Sequence, residues 1–291
     1  DSFNVRGGVV LVPVGFLNEF HEPPLFWSVE RPEFHSKIIP STWVAAGLGF
    51  FGTPMEGMNY RLYLTNSLES ISDGTDTGSG NGSGGFSGAF TAQTGIRGGR
   101  HQINGTAADD LAVSGRVEYS RFFPGLNVGA SFYTGETTQG FISEGGRTTV
   151  LEADMKYREG WFDMNASIAN IIIEDGVALN NFCSDSAHTC SAEIADNIFG
   201  FNAQAGVHLF QLMGKNTSHD LVAFFLYEKI RPQDSMPHGT APTHSSNFDL
   251  YTVGMSYMPI ESVAIKADYQ QFILKNNTTE NKINIGLAYM Y

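Results

Sequence analysis

Asn284-Ile285-Gly286-Leu287-Ala288-Tyr289-Met290-Tyr291 decides the reading of this sequence. With Ile283 just ahead of it, the stretch alternates strictly: Ile283, Ile285, Leu287, Tyr289 and Tyr291 against Asn284, Gly286, Ala288 and Met290. A period of two places one fully apolar face and one small or polar face on a single strand. The chain then stops on an aromatic, where frayed ends of water-soluble domains tend to be polar. A terminal aromatic of this kind suits a strand that closes a membrane barrel and sets its last ring at the interface. An edge strand of a soluble β-domain is the competing reading.

Composition narrows the choice. Among 291 residues, 33 are Gly, 12% are aromatic and only 16% are charged, against roughly 25% charged in an ordinary soluble domain. Mean hydropathy is nevertheless only -0.13. No run approaches the roughly 18 apolar residues that a membrane helix needs. Few charges, much Gly and middling hydropathy fit a β-barrel, in which every second strand residue meets lipid. They also fit a secreted β-sandwich. A net charge of -13 without any Lys/Arg block argues against nucleic acid.

Working back from the end, the alternation recurs. Strands are expected over about 3–14, 42–52, 58–67, 111–122, 126–134, 147–158, 161–173, 197–210, 220–229, 248–258, 262–274 and the terminal stretch. The stretch 220–229 is apolar on both faces, so its register stays open. Connections after even-numbered strands are short (Pro124-Gly125, Glu159-Gly160, Pro259-Ile260-Glu261), and those after odd-numbered strands are longer. A sandwich has no reason to sort loops by parity, whereas an outer-membrane barrel does. The expected fold is therefore all-β: one transmembrane antiparallel up-and-down barrel domain over 1–291, with about twelve visible strands, or 14–16 if the N-terminus is truncated. Its place is the bacterial outer membrane, with both termini periplasmic. Tyr119, Tyr157, Tyr251, Tyr257, Tyr289 and Tyr291 fall near strand ends on the apolar face, which fits interfacial girdles.

Segment 15–41 (GFLNEFHEPPLFWSVERPEFHSKIIPS) is too apolar for a plain surface loop, and Pro23, Pro24, Pro32 and Pro40 bar a regular strand or long helix. Its aromatics must be buried somewhere. Folding into the lumen would narrow the channel and supply Glu19, Glu22, Arg31 and their neighbours to the constriction; packing on the rim or on a second protomer is the alternative. Alternation adds Arg6, Arg61, Arg116, Glu118, Glu152, Asp154 and Lys156 to the pore lining, with Lys266 and Asp268 further along. Mixed signs point to weak selectivity, or to ion pairs across neighbouring strands. Arg97 and Arg100 on a Gly-rich turn could bind an anion or lie in a solvated loop.

Cys183 and Cys190 lie close together in a polar loop, which suggests a disulfide in an oxidising compartment; a metal pair with His188 is the weaker alternative. Asp73 and Asp76 have spacing that Ca²⁺ can use but lack a distal bidentate Glu, so a flexible loop is the preferred reading. No Gly-x-Ser-x-Gly or His-Glu-x-x-His is present, and neither an enzyme nor a cofactor is expected.

Several stretches carry a resemblance: PVGFLNEFHEPP (13–24), VERP (29–32), IIPSTW (38–43) and GIRGGR (95–100). They resemble bacterial outer-membrane porins related to the phosphate-selective porin group, over roughly residues 3–105 and the terminal strand. The resemblance implies a water-filled barrel, often trimeric, that passes small anionic or polar solutes. With 17 Lys plus Arg against 30 acids, this chain lacks the basic lining that phosphate selectivity needs. The terminal pattern, with Gly286, Tyr289 and Tyr291, also resembles the signal read by the barrel-assembly machinery. Expected partners are outer-membrane lipid, that machinery, and a homo-oligomer or other surface or periplasmic proteins. A non-conducting scaffold for a larger assembly is the alternative function.

Overall fold

A computed structural model describes residues 2–18, 26–72, 89–100, 108–185, 188, 190–215, 217–243 and 246–290. Twelve strands form one antiparallel sheet in chain order. They are β1 (Asn4–Leu11), β2 (Val44–Met55), β3 (Met58–Asn66), β4 (Leu111–Tyr119), β5 (Leu126–Gly135) and β6 (Thr148–Glu159). β7 (Phe162–Ile173), β8 (Asn197–His208), β9 (Asp220–Ser235), β10 (Phe248–Ile260), β11 (Val263–Leu274) and β12 (Thr279–Tyr289) follow. Among the described residues two short α-helices lie between strands, α1 (Gly176–Cys183) and α2 (Leu209–Leu212), besides single helical turns at Phe16–Asn18, Phe34–Ile38 and Ile96–Gly99. Every strand bonds its sequence neighbours, as an up-and-down barrel wall requires; among the described residues no ladder joins β12 to β1.

The two faces of this wall are chemically opposite. Val9, Leu48, Leu62, Val113, Phe132, Leu151, Ile168, Phe225, Val253 and Ile265 stand exposed on the outer face. On β12, Ile283 and Ile285 are each 80% exposed and Leu287 75%. A continuous apolar belt of this size would drive association in water and is the expected surface in hydrocarbon. Rings gather where the outer face meets the short turns: Tyr119 on Phe122, Phe123 on Tyr157, and Trp161 on Phe162. That grouping matches an interfacial girdle.

Connection lengths follow parity with two exceptions. β11 and β12 are joined by 275–278 alone, and the connection 209–219 after β8 is longer than its peers and carries α2. β2 runs on through Thr53-Pro54-Met55, leaving only residues 56 and 57 for the turn, with a register shift between Gly52 and Met55. β9 also outruns the sequence reading, which placed a loop from residue 230. It continues through Pro232 to Ser235, because Ile230↔Phe248 ends its pairing with β10 while β8 carries on alongside. Pro232 falls where the β8 register shifts, a position at which a missing N–H costs nothing.

Candidate functional site

The connection between β1 and β2 packs against inward-facing residues of the wall. Its base is closed by Asn18, whose amide donates to the carbonyls of Val12 (2.7 Å) and Trp43 (3.1 Å) and accepts from the Trp43 N–H (2.7 Å). From there the segment is tied to inward-facing residues around the wall. The Ser131 hydroxyl of β5 accepts from the Gly15 N–H at 3.2 Å. Asp268 of β11 accepts from the Val29 N–H at 2.6 Å and is itself held by Asn284 of β12 at 2.8 Å. The Lys266 ammonium donates to the carbonyls of Phe26 and Ser28. Fully buried Glu228 of β9 accepts the N–H groups of Phe34 (2.8 Å) and Glu33 (3.2 Å), which open a single wide helical turn over Phe34–Ile38. These N–H groups have no partner within the helix, so a carboxylate from the wall supplies one.

Glycine makes room for this segment. A Cβ on Gly200 of β8 would sit 2.6 Å from Ile38 Cγ1, and one on Gly286 of β12 would sit 2.8 Å from Val29 Cγ1. Gly286, singled out in the terminal motif, thus has a packing role as well. At the long-loop end, Phe34, Ile38 and Ile39 pack with Leu68, Ile71, Phe90 and Ile96 from the connection after β3. Inward residues of the strands complete that core, among them Val150, Ile171, Ile198, Ile230 and Phe248. This explains the doubly apolar β9: Val222, Phe224, Leu226 and Ile230 are buried inward, while Phe225 points out.

The charged lining divides into two groups. Arg116 is bidentate on Asp154, at 2.6 and 3.0 Å, and reaches Glu118 (3.1 Å) and Glu152 (3.4 Å). The side chains of Arg116, Glu152 and Asp154 are only 2%, 0% and 4% exposed. They face inward as alternation requires, but their geometry is that of cross-strand ion pairs covered by the inner segment. Glu118 and Arg61, paired at 3.0 Å, are more open at 17% and 23%. Lys156 stands 4.0 Å from the centre of the Phe16 ring. Arg6 lies 4.4 Å from the centre of the Phe51 ring, on a part of β1 whose inward face is exposed.

A basic ledge forms where the two long connections meet. Arg31 donates to the Ser41 hydroxyl, Arg97 to the Ser36 hydroxyl (3.3 Å), and Arg100 to Ser41 O and the Thr42 hydroxyl. Burial and the neighbouring guanidiniums lower the pKa of Arg31, and bring Arg100 down to about 10. Cys183 and Cys190 are joined in a disulfide, with His188 stacked on Phe182 rather than placed as a ligand. Among the described residues no acidic, His or Cys cluster has metal-ligating geometry. Glu19, Glu22, Asp73, Asp76 and Tyr291 lie outside the described residues. Sequence reasoning missed Glu228, although a lone acid inside an otherwise apolar strand marks a buried carboxylate with a dedicated partner.

No family model matches the chain. An uncharacterized protein of Aquifex aeolicus is 26% identical over 295 residues, an alignment that takes in all of this chain and 63% of the relative. The chain therefore spans less than two thirds of that relative's length. Among solved structures, OmpF of Salmonella typhi in complex with daunomycin superposes with a TM-score of 0.55 at 11% identity, over 98% of this chain and 73% of that one. The fold is that of an outer-membrane porin barrel. The outer-membrane channel DcaP of Acinetobacter baumannii gives a TM-score of 0.53 at 7% identity, over 98% and 70% of the two chains. The likeness is one of architecture and does not single out the phosphate-selective group.

Proposed function

We propose that this barrel is a passive diffusion channel for small hydrophilic solutes or ions in the bacterial outer membrane, with both termini periplasmic and the 15–41 segment as its constriction. One asymmetry carries the reading. The segment is tied to inward-facing residues of β8, β9 and β11, while Arg6 of β1 and Lys282 of β12 remain exposed on the inward side. A wet path beside the segment would be bordered by Arg6, Arg61, Glu118, Arg31 and Lys282. Its mixed signs favour weak selectivity over a single-sign filter. The apolar belt would meet lipid or further copies of the chain, and the barrel-assembly machinery would read the terminal aromatics.

A second reading has its own support. The apolar core at the long-loop end fills the space inside most of the strands, which suits a non-conducting scaffold docked in a larger surface assembly. Single-channel recording in a planar bilayer under a salt gradient separates the two. Steady ohmic steps are expected, with a reversal potential near zero that moves when Arg6 or Arg31 is neutralised. A correctly folded but silent barrel would overturn the channel and leave the scaffold.

A further inference from the structure

At the short-turn end of the lumen lies a cavity of about 460 Å³, within the roughly 300–1,000 Å³ typical of small-molecule sites. Its walls bring together three kinds of group. Phe16 and Trp27 give aromatic faces; the Trp27 ring is seated over Gly206 and beside Phe224, and Phe16 meets His35 edge-on at 5.2 Å between centroids. Lys156 and Arg158 give positive charge. Buried polar atoms give unmet hydrogen-bonding capacity: His35 Nε2 and Asn202 Oδ1 have no hydrogen-bond partner, and their residues are only 2% and 1% exposed. A buried polar group is costly to leave unpaired, so two lining one cavity mark a place built to receive a polar occupant.

The atoms have an order along the wall. His208 sits at the mouth, where its Nδ1 meets Asp220 at 2.6 Å and Asp163 lies 3.8 Å from both its Nε2 and Arg158. Asp163 and Asp220 are thus engaged, and Glu261 is the third acid of the lining. Deeper in, Lys156 is level with Asn165 and Gln204, two residues along β8 from Asn202. Two residues of strand span roughly 6.5–7 Å, about the length of a para-disubstituted benzene ring between its polar ends. An anionic end would meet Lys156 and Arg158, the flat body would lie between Phe16 and Trp27, and a hydroxyl would donate to Asn202 Oδ1, with His35 elsewhere on the same lining. Burial and the charges of Arg31 and Lys156 push the His35 pKa down to about 3, so its ring is neutral and adds no charge.

We propose that this cavity is a binding site for a small hydroxylated aromatic carboxylate. The assignment stands on the cavity alone and does not depend on conduction. The test is isothermal titration of the full chain, folded in detergent, with 4-hydroxybenzoate, benzoate and phenol as probes. 4-Hydroxybenzoate is expected to bind saturably and at least about tenfold more tightly than either probe lacking one polar end, since an unfilled buried acceptor is penalised. Asn202→Leu should erase the advantage over benzoate. Arg158→Gln, at a largely exposed side chain, should weaken both acids and leave phenol unchanged. Equal affinity for the three probes, an advantage that survives Asn202→Leu, or no saturable binding by correctly folded protein would each overturn the assignment; the last would leave the cavity to water. Conductance recorded on the same preparation reports separately on the channel.

Discussion

Arg116→Met is the perturbation whose cost the structure defines most closely. The guanidinium donates to Asp154 through two nitrogens and also reaches Glu152 and Glu118. Removing it leaves two carboxylates with side chains 0% and 4% exposed and their main counter-charge gone. Breaking a buried pair from one side costs about 3–5 kcal/mol, because an uncompensated charge remains. Glu118 keeps Arg61 at 3.0 Å and is part-exposed at 17%, so the loss of its own contact with Arg116 adds at most about 1 kcal/mol and is discounted. The expected loss is therefore about 3–5 kcal/mol, read by reversible urea unfolding in phospholipid vesicles with tryptophan fluorescence. A triple variant, Arg116→Met with Glu152→Gln and Asp154→Asn, removes the stranded charges and should recover most of that loss. Conductance should stay near wild type in both, because the cluster lies under the inner segment. A loss below about 1 kcal/mol, or a triple variant as unstable as the single one, would refute the argument that these residues are structural ion pairs.

Other outcomes follow from the same geometry. Ile168→Arg places a charge on the outer belt and should destabilise the barrel by about 2–4 kcal/mol in bilayers if it lies near mid-depth; an effect near zero would remove that face from the hydrocarbon. Gly200→Val drives a branched side chain into Ile38 and Phe34, and should raise proteolysis of the 15–41 segment in an otherwise folded barrel; unchanged protection would refute the close packing. The His35 imidazole, held near 3 against 6.5 when free, binds its proton more readily in the unfolded chain. Its stabilising contribution is therefore complete above about pH 6.5 and is lost as pH falls towards 3, by about 2 kcal/mol at pH 5. Burial raises the Glu33 pKa and works in the opposite direction at lower pH, so the measurement is the difference between wild type and His35→Gln. Parallel stability curves for the two proteins would refute the contribution of His35.

The strands were legible because the outer face is set by one solvent. Wherever lipid demands an apolar residue, the next position is free to be Asn, Ser or Arg, and a period of two survives in the sequence. That logic failed at β9, whose inward face meets Phe34, Ile38 and Trp27 rather than water, and it missed Pro232 because strand ends depend on which neighbour continues. The aromatic content of segment 15–41 signalled burial, but its route did not, because that route rests on single residues of distant strands: Ser131, Glu228, Lys266 and Asp268. For the same reason alternation found Arg116, Glu152 and Asp154 on the inner face without showing that they are covered. The cavity beneath Trp27 arises only from the way the segment lies and left no local pattern.

The ties of the inner segment also bear on the order in which the barrel is made. Each strand bonds its sequence neighbour, so the wall can grow hairpin by hairpin from local contacts. The bond from Val29 to Asp268 joins residues 239 apart, that from Phe34 to Glu228 residues 194 apart, and that from Gly15 to Ser131 residues 116 apart. Contacts so remote in sequence are slow to form because loop closure must come first. The segment is made early and seated late: its anchors on β9 and β11 exist only once most of the wall stands. Until then its buried aromatics are exposed, and the assembling chain carries a second apolar surface alongside the one meant for lipid.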